Sequence, residues 1–217
     1  MATPTPRRGR PRAKARSSDL DPREEILRAA ATLFSNQGIG ATRITDIAAA
    51  VGVSPPSIYY YFDNLDAIVE ALLDYVVVDS LAFATSVSAR PGSAPERLHE
   101  LVAQHVERLI LGPYDLWFVA GLTARDSARF SKVGERANGW RRAVARIVRE
   151  GVGAGEFADV RPEVAVAAVS GLVYGALELH HRRVAVDPAL IATLAVRALA
   201  TPHGAVADGG AVSARRR

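Results

Sequence analysis

Between Thr42 and Phe62 the chain reads TRITDIAAAVGVSPPSIYYYF, and this stretch constrains the fold more than any other. Ile44, Ile47, Ala48 and Val51 fall at helical spacing and predict a short helix. Gly52 stands where a helix C-terminus favours a left-handed residue, because glycine has no Cβ to clash. Ser54 is a good N-cap, and Pro55 occupies a first helical position where its missing N–H costs nothing. The second helix turns Ile58 and Phe62 inward at i, i+4, leaving Pro55, Pro56, Ser57, Tyr59, Tyr60 and Tyr61 to its other faces. Ala48, Gly52 and Ile58 are spaced as the crossing residue, turn glycine and apolar anchor of a helix-turn-helix. That motif sets the N-terminal part of its second helix in the major groove of DNA. An ordinary helical hairpin in a core has the same spacing, so the surroundings of the stretch must separate the two.

Charge supplies one such observation. Residues 1–18 carry Arg7, Arg8, Arg10, Arg12, Lys14 and Arg16 and no acid. They are rich in Pro and Ser, lack an apolar period and read as a disordered basic arm over 1–19. Arg8-Gly9-Arg10-Pro11 resembles the core of an AT-hook, a segment that lies in the minor groove; a merely solubilising tail is the alternative. Residues 19–66 hold three arginines (Arg23, Arg28, Arg43) against seven acids, a net −4. A DNA-binding unit of that sign needs help against a polyanion, and the arm is placed to give it.

Composition narrows the class. The chain has 217 residues, 49% of them apolar, enough for a buried core. It shows no uninterrupted apolar run of the roughly 20 residues that a membrane span needs, and no apolar segment of a signal peptide near its start. With no cysteine there is no disulfide framework and no thiolate metal site. The expectation is a soluble cytoplasmic protein with no membrane partner and no cofactor. His180 and His181 are adjacent, so they point about 100° apart on a helix and do not share a metal.

Helical signals fill the rest. Asp21-Pro22-Arg23-Glu24 opens a first helix with an N-cap, a proline at N1 and an acid to close a capping box; Ile26, Leu27, Ala30, Leu33 and Phe34 form its stripe, and Gly38 ends it. Asp63-Asn64-Leu65-Asp66 caps a longer helix predicted to about Ala84, a lever between two cores. Further helices are predicted from Ser93, over roughly 124–151, from Pro162 and from Asp187-Pro188, with a short aromatic segment at 114–118. The predicted fold is all-α: a helix-turn-helix domain over 20–64, a helical effector-binding and dimerisation domain over 65–202, and a disordered tail over 203–217.

From about Asp21 to Leu72 the chain resembles TetR/AcrR-family transcriptional regulators, through the TDIAAAVGVS and SIYYYFDNLDAI blocks; weaker likeness extends over Gly151–Phe157 and the last two apolar helices. The resemblance implies a homodimer on a palindromic operator in double-stranded DNA, most often a repressor, gated by a small-molecule effector. Carried over by position, it puts Pro55, Pro56, Ser57 and Tyr59 at or near base edges, turns Thr45 to the groove and lays Tyr60, Tyr61 and Thr42 along the phosphates; Arg43, beside Thr42, is a further candidate DNA contact. Tyrosine hydroxyls suit phosphate oxygens and prolines suit thymine methyls, although packing competes as the role of the tyrosines. Two departures concern charge: Leu65 and Thr45 stand where family members often carry a basic residue.

A regulatory pocket is expected among the helices between Phe83 and His181. Its candidates are Phe83, His105, Trp117, Phe118, Trp140 and Tyr174, residues that interrupt an apolar face or crowd it with aromatics; core packing is the competing role for each. A largely apolar or amphipathic ligand fits such a lining. An effector preferring the state unable to bind DNA by about 2–3 kcal/mol weakens binding roughly 30- to 150-fold. Ala167, Gly171 and Gly175 form a small-residue strip for a partner helix, joined by Leu190 and Leu194 of the last helix. Two other classes compete. An enzyme lacks support, since the chain has neither a Gly-rich phosphate loop nor a cysteine nucleophile. A DNA-architectural protein without effector draws on the basic arm, and a cavity in the C-terminal half separates it from a ligand-gated regulator.

Overall fold

The computed structural model describes residues 20–122 and 129–201, apart from the side chains of 77–79 and 131–137. The basic arm, with Arg8 and Arg10, lies outside the described residues, as does the predicted tail. Eight α-helices are described: α1 (Pro22–Gln37), α2 (Ile44–Val51), α3 (Pro55–Tyr59), α4 (Leu65–Ala89), α5 (Ala94–Leu111), α6 (Ser131–Gly153), α7 (Pro162–His181) and α8 (Pro188–Leu199). Short 3-10 turns occupy Ile39–Ala41 and Trp117–Gly121, and no strand occurs among the described residues.

In the N-terminal unit, Ile26, Leu27, Ala30, Ala31 and Phe34 of α1 meet Ile47, Ala48, Ile58 and Phe62, all buried. Asp21 caps α1 by accepting from Arg23 N at 3.3 Å. The capping box expected from Glu24 does not form. Its carboxylate takes Arg28 Nε at 3.0 Å and the Tyr114 hydroxyl at 2.5 Å, a longer-range partner that sequence spacing does not reveal.

Helix α4 runs five residues beyond the expected Ala84. Its polar end (Thr85, Ser86, Ser88) still buries Val87, and Arg90-Pro91-Gly92 stops it. Asn64 is its N-cap, accepting from Ala67 N at 2.9 Å. The predicted start of α6 near 124 lies outside the described residues. In the C-terminal body α5 lies along α8 and α4 along α6, while α7 closes against α5, α6 and α8. The buried Arg97 ties α5 to its neighbours through Glu150 Oε2 at 2.7 Å and Ser88 O at 3.1 Å.

By length and composition α7 is apolar enough to cross a membrane, with a mean hydropathy of 1.3 over its window. Counting uninterrupted apolar residues misses it, because Glu163 and Glu178 break the run. Here the helix is one wall of the body, burying Ala165, Val169, Val173, Ala176 and Leu177.

The two units meet through residues 114–121. Ser35 Oγ on α1 donates to Asp115 O and accepts from Phe118 N, both at 3.1 Å. Phe118 sets its ring edge against Phe34 at 5.6 Å, and Trp117 stacks on His181 of α7 at 5.8 Å. His181 Nδ1 stands 3.1 Å from Asp115 Oδ2. Arg129 forms an ion pair with Asp66 at the start of α4.

Candidate nucleic-acid interface and effector cavity

The α2–α3 turn is built by Gly52, whose φ of 74° and ψ of 29° are left-handed. Its N–H reaches Ala49 O at 3.2 Å and the Val53 N–H reaches Ala48 O at 3.0 Å, so the last carbonyls of α2 are satisfied as in a Schellman motif. Ile58, fully buried, pins α3 to this frame. The Arg23 guanidinium lies 5.0 Å over the Phe62 ring and closes the core from the side.

With one face anchored, the other is left open. Thr45, Pro56 and Ser57 are exposed, Pro55 is half-buried, and Arg43 lies free of the core. Tyr59 is 54% exposed and Tyr60 82%, while Tyr61 is half-buried and meets the Tyr60 ring edge-on at 4.9 Å. Helix α3 is shorter than its sequence suggests, since Tyr60 and Tyr61 already belong to the turn that follows.

Two expectations are corrected here. Thr42 does not line the surface that phosphates would meet. It is 3% exposed, and its hydroxyl donates to Gly38 O at 2.9 Å and accepts from Gln37 Nε2 at 3.2 Å. Its hydrogen-bonding capacity is spent on the end of α1. Ser54 occupies the N-cap position but caps no backbone N–H, because its hydroxyl pairs with that of Ser57 at 3.0 Å.

In the C-terminal body a cavity of about 120 Å³ lies among α4, α5, α6 and α7. It brings together His105, Trp140 and Tyr174 from three helices, with Val76, Leu109, Val173 and Leu177 supplying apolar walls. The His105 ring stacks on Trp140 at 4.7 Å, and its Nδ1 stands 3.4 Å from Ser80 Oγ. Burial, and then the nearby Arg108 charge, pushes its pKa down to about 4. The imidazole is therefore neutral near pH 7.

The other three expected pocket residues lie elsewhere. Phe118 is buried against Phe34, Trp117 is stacked on His181, and Phe83 is half-buried in the general core. Aromatic type alone did not separate junction residues from cavity residues. Ser80, Arg141 and Ser170 line the cavity and were missed. Ser80 and Ser170 had a sequence signal, a small polar residue within an apolar helix, as His105 had.

On α7 the small-residue strip faces outward. Ala167 and Gly171 are exposed and Gly175 half-buried, and a Cβ added at either glycine meets nothing within 4 Å. Leu190 and Leu194 of α8 are 55% and 41% exposed.

A helix-turn-helix with an open recognition face, joined to a helical body with an internal cavity, defines the class of one-chain DNA-binding regulators. The comparisons with known proteins say which. The model for "Bacterial regulatory proteins, tetR family" matches residues 26–72, and that for "Tetracyclin repressor-like, C-terminal domain" matches 91–178. The crystal structure of AmtR from Mycobacterium smegmatis is 30% identical with a TM-score of 0.74, over 85% of this chain and 88% of that one. The chain belongs to the TetR family of transcriptional regulators. The ketosteroid transcriptional regulator KstR2 of Mycobacterium tuberculosis shares the fold at 18% identity, with a TM-score of 0.72 over 87% of this chain and all of that one. The HTH-type transcriptional repressor KstR2 of Rhodococcus jostii is 43% identical over 51 residues, 24% of this chain and 25% of that protein. The chain thus spans about a quarter of the length of the curated relatives it matches.

Proposed function

We propose that this TetR-family regulator represses transcription from a palindromic operator as a homodimer and is released by a small, amphipathic effector seated in the cavity. The observation that carries this reading is the division of α3 and the turn after it: Ile58 is fixed in the core while Pro56, Ser57, Tyr59 and, in the turn, Tyr60 face outward. Pro55, Pro56, Ser57, Tyr59 and Thr45 meet base edges; Tyr60, Tyr61 and Arg43 meet phosphates. Repression is supported by the name of the Rhodococcus relative, a repressor that matches over the DNA-binding stretch. The outward strip Ala167–Gly171–Gly175, with Leu190 and Leu194, supplies the subunit contact, because glycines inside a helix cost about 1 kcal/mol each relative to alanine and a close neighbour offsets that.

The placing of α4 supports the release step. Val76 of α4 lines the cavity, and α4 begins beside α1 and the recognition unit. A ligand that prefers one setting of α4 shifts the population toward it and changes the spacing of the two recognition helices. On DNA those must sit about 34–36 Å apart, or a multiple of that. Gel shift on the promoter DNA beside the gene, with the mass of the complex measured by light scattering, tests the reading. Two protomers, or four, on an imperfect palindrome are expected. A monomer binding promoter and random DNA equally at physiological salt would overturn it.

A further inference from the structure

The mouth of the cavity says more about its occupant; the argument rests on the effector reading above. An apolar void of roughly 150 Å³ holds a benzene ring, so the 120 Å³ here suits a group of about six carbons. Arg141 and Ser170 line this cavity and also a second, open hollow of about 500 Å³ between α6 and α7. The two spaces are therefore neighbours, divided by those residues. Arg141, Arg142 and Arg149 line the hollow, and none of the three has an ion-pair partner among the described residues. Arg146, on the next face of α6, is by contrast tied to Glu150 at 2.9 Å. Arg142 and Arg149 stand two turns apart, ~10 Å along the helix.

Polarity at the junction has one sign. Among the described residues no carboxylate lines the cavity, and Glu163, at the start of α7, is the one acid lining the hollow. Trp140 is more than nine-tenths buried, and among the described residues neither its Nε1 nor the Ser170 hydroxyl has a hydrogen-bond partner. An indole N–H only donates. Guanidinium groups with no ion-pair partner among the described residues thus stand where the apolar cavity borders the hollow. They call for an occupant with acceptor atoms and negative charge at that end.

We propose that the effector is an organic anion. An apolar group of about six carbons fills the cavity, and a carboxylate or phosphate head passes Ser170 to lie on Arg141 and Arg142. Arg149, further along the row, takes a second negative charge where the ligand has one. The row also flanks the strip proposed as the subunit contact, since Ala167 lines the same hollow, so an acid of a second copy is the competing occupant.

Calorimetric titration of the full chain with hexanoate, hexyl phosphate and 1-hexanol tests the proposal. At least one of the anions is expected to bind tenfold or more tighter than hexanol, with the gap narrowing as salt rises; which of them does so identifies the head group. Arg141→Ala with Arg142→Ala is expected to remove the gap, so that neither anion binds that variant more tightly than hexanol does, whereas the paired lysine replacements retain part of it. Equal binding of hexanol and both anions, an anion preference that survives the alanine pair, or no binding by any of the three at millimolar concentration overturns it. So does a loss of dimer mass in the alanine pair without anion preference in the parent, which assigns the arginines to the subunit contact. Anion binding as expected with no release of operator DNA leaves this site standing and removes the effector reading instead.

Discussion

His105 is a half-buried titratable side chain stacked on Trp140 beside Ser80, with the Arg108 charge nearby, and its protonation is set by what the folded state withholds from it. Its pKa falls to about 4 in the folded chain, against 6.5 when free. Between those values the unfolded state binds more protons, so stability falls as pH drops through this window. The loss is at most about 3 kcal/mol, and contact of the ring with the cavity lowers it. Urea unfolding at pH 7 and pH 5 is expected to show a larger acid loss for the parent than for His105→Gln; parallel losses would mean that the ring is solvated. Thr42 and Tyr60 make a second contrast. If the proposed phosphate contact holds, Tyr60→Phe is expected to weaken operator binding, and the melting temperature should stay unchanged because the side chain is exposed. Thr42→Ala is expected to cost about 1 kcal/mol of stability through the two lost hydrogen bonds, with the salt slope of DNA binding unaltered. A changed slope in Thr42→Ala would return that residue to the phosphate surface.

At the scale of elements, local signals carried furthest. Ile47, Ala48, Gly52 and Ile58 act within twenty residues of one another, so spacing alone places the motif. Partners distant in sequence were not legible. Glu24 has the position of a capping acid, yet it serves Tyr114, ninety residues on. Trp117 and Trp140 look alike in a helical pattern, and only the meeting of α1 and α7 with the 114–121 segment assigns the first to the junction. The helices lining the cavity each show an interrupted apolar face; which faces meet is decided by the packing of four helices together. Helix α7 presents a question of its own, because its inner face is buried while Gly171 looks into open space. Gly171→Glu is expected to keep the monomer folded, since the new side chain meets nothing and glutamate favours a helix over glycine. Light scattering should then report a monomer that has lost operator binding. A variant that stays dimeric would move the subunit contact off this strip.

For the molecule as a whole the sign of the charge is the unresolved tension. Net charge is +4, yet the six bases of residues 1–18 and the three terminal arginines leave the intervening chain with 18 bases against 23 acids. Its recognition unit, too, has more acids than arginines, and Asp46 is held close by the Arg43 N–H at 2.8 Å. Such a surface repels DNA at long range, and the contacts offered by α3 are neutral: proline, serine and tyrosine. On the reading proposed above, affinity and specificity divide between two parts of the chain: α3 would read sequence and the basic arm would neutralise phosphate. Each neutralised phosphate adds about 0.9 to the slope of log affinity against log salt, so six bases per protomer add at most ~5. Deleting residues 2–18 is expected to weaken binding to operator and random DNA together and to flatten the slope. The ratio between the two DNAs should hold, because base-edge contacts remain. If the truncated chain kept the parent slope, the body would have to overcome its own acidity, and Arg43 with the tyrosine hydroxyls would become the sole phosphate contacts. A selective loss of operator affinity would instead mean that the arm reads the minor groove, as the resemblance of Arg8-Gly9-Arg10-Pro11 to an AT-hook core suggests.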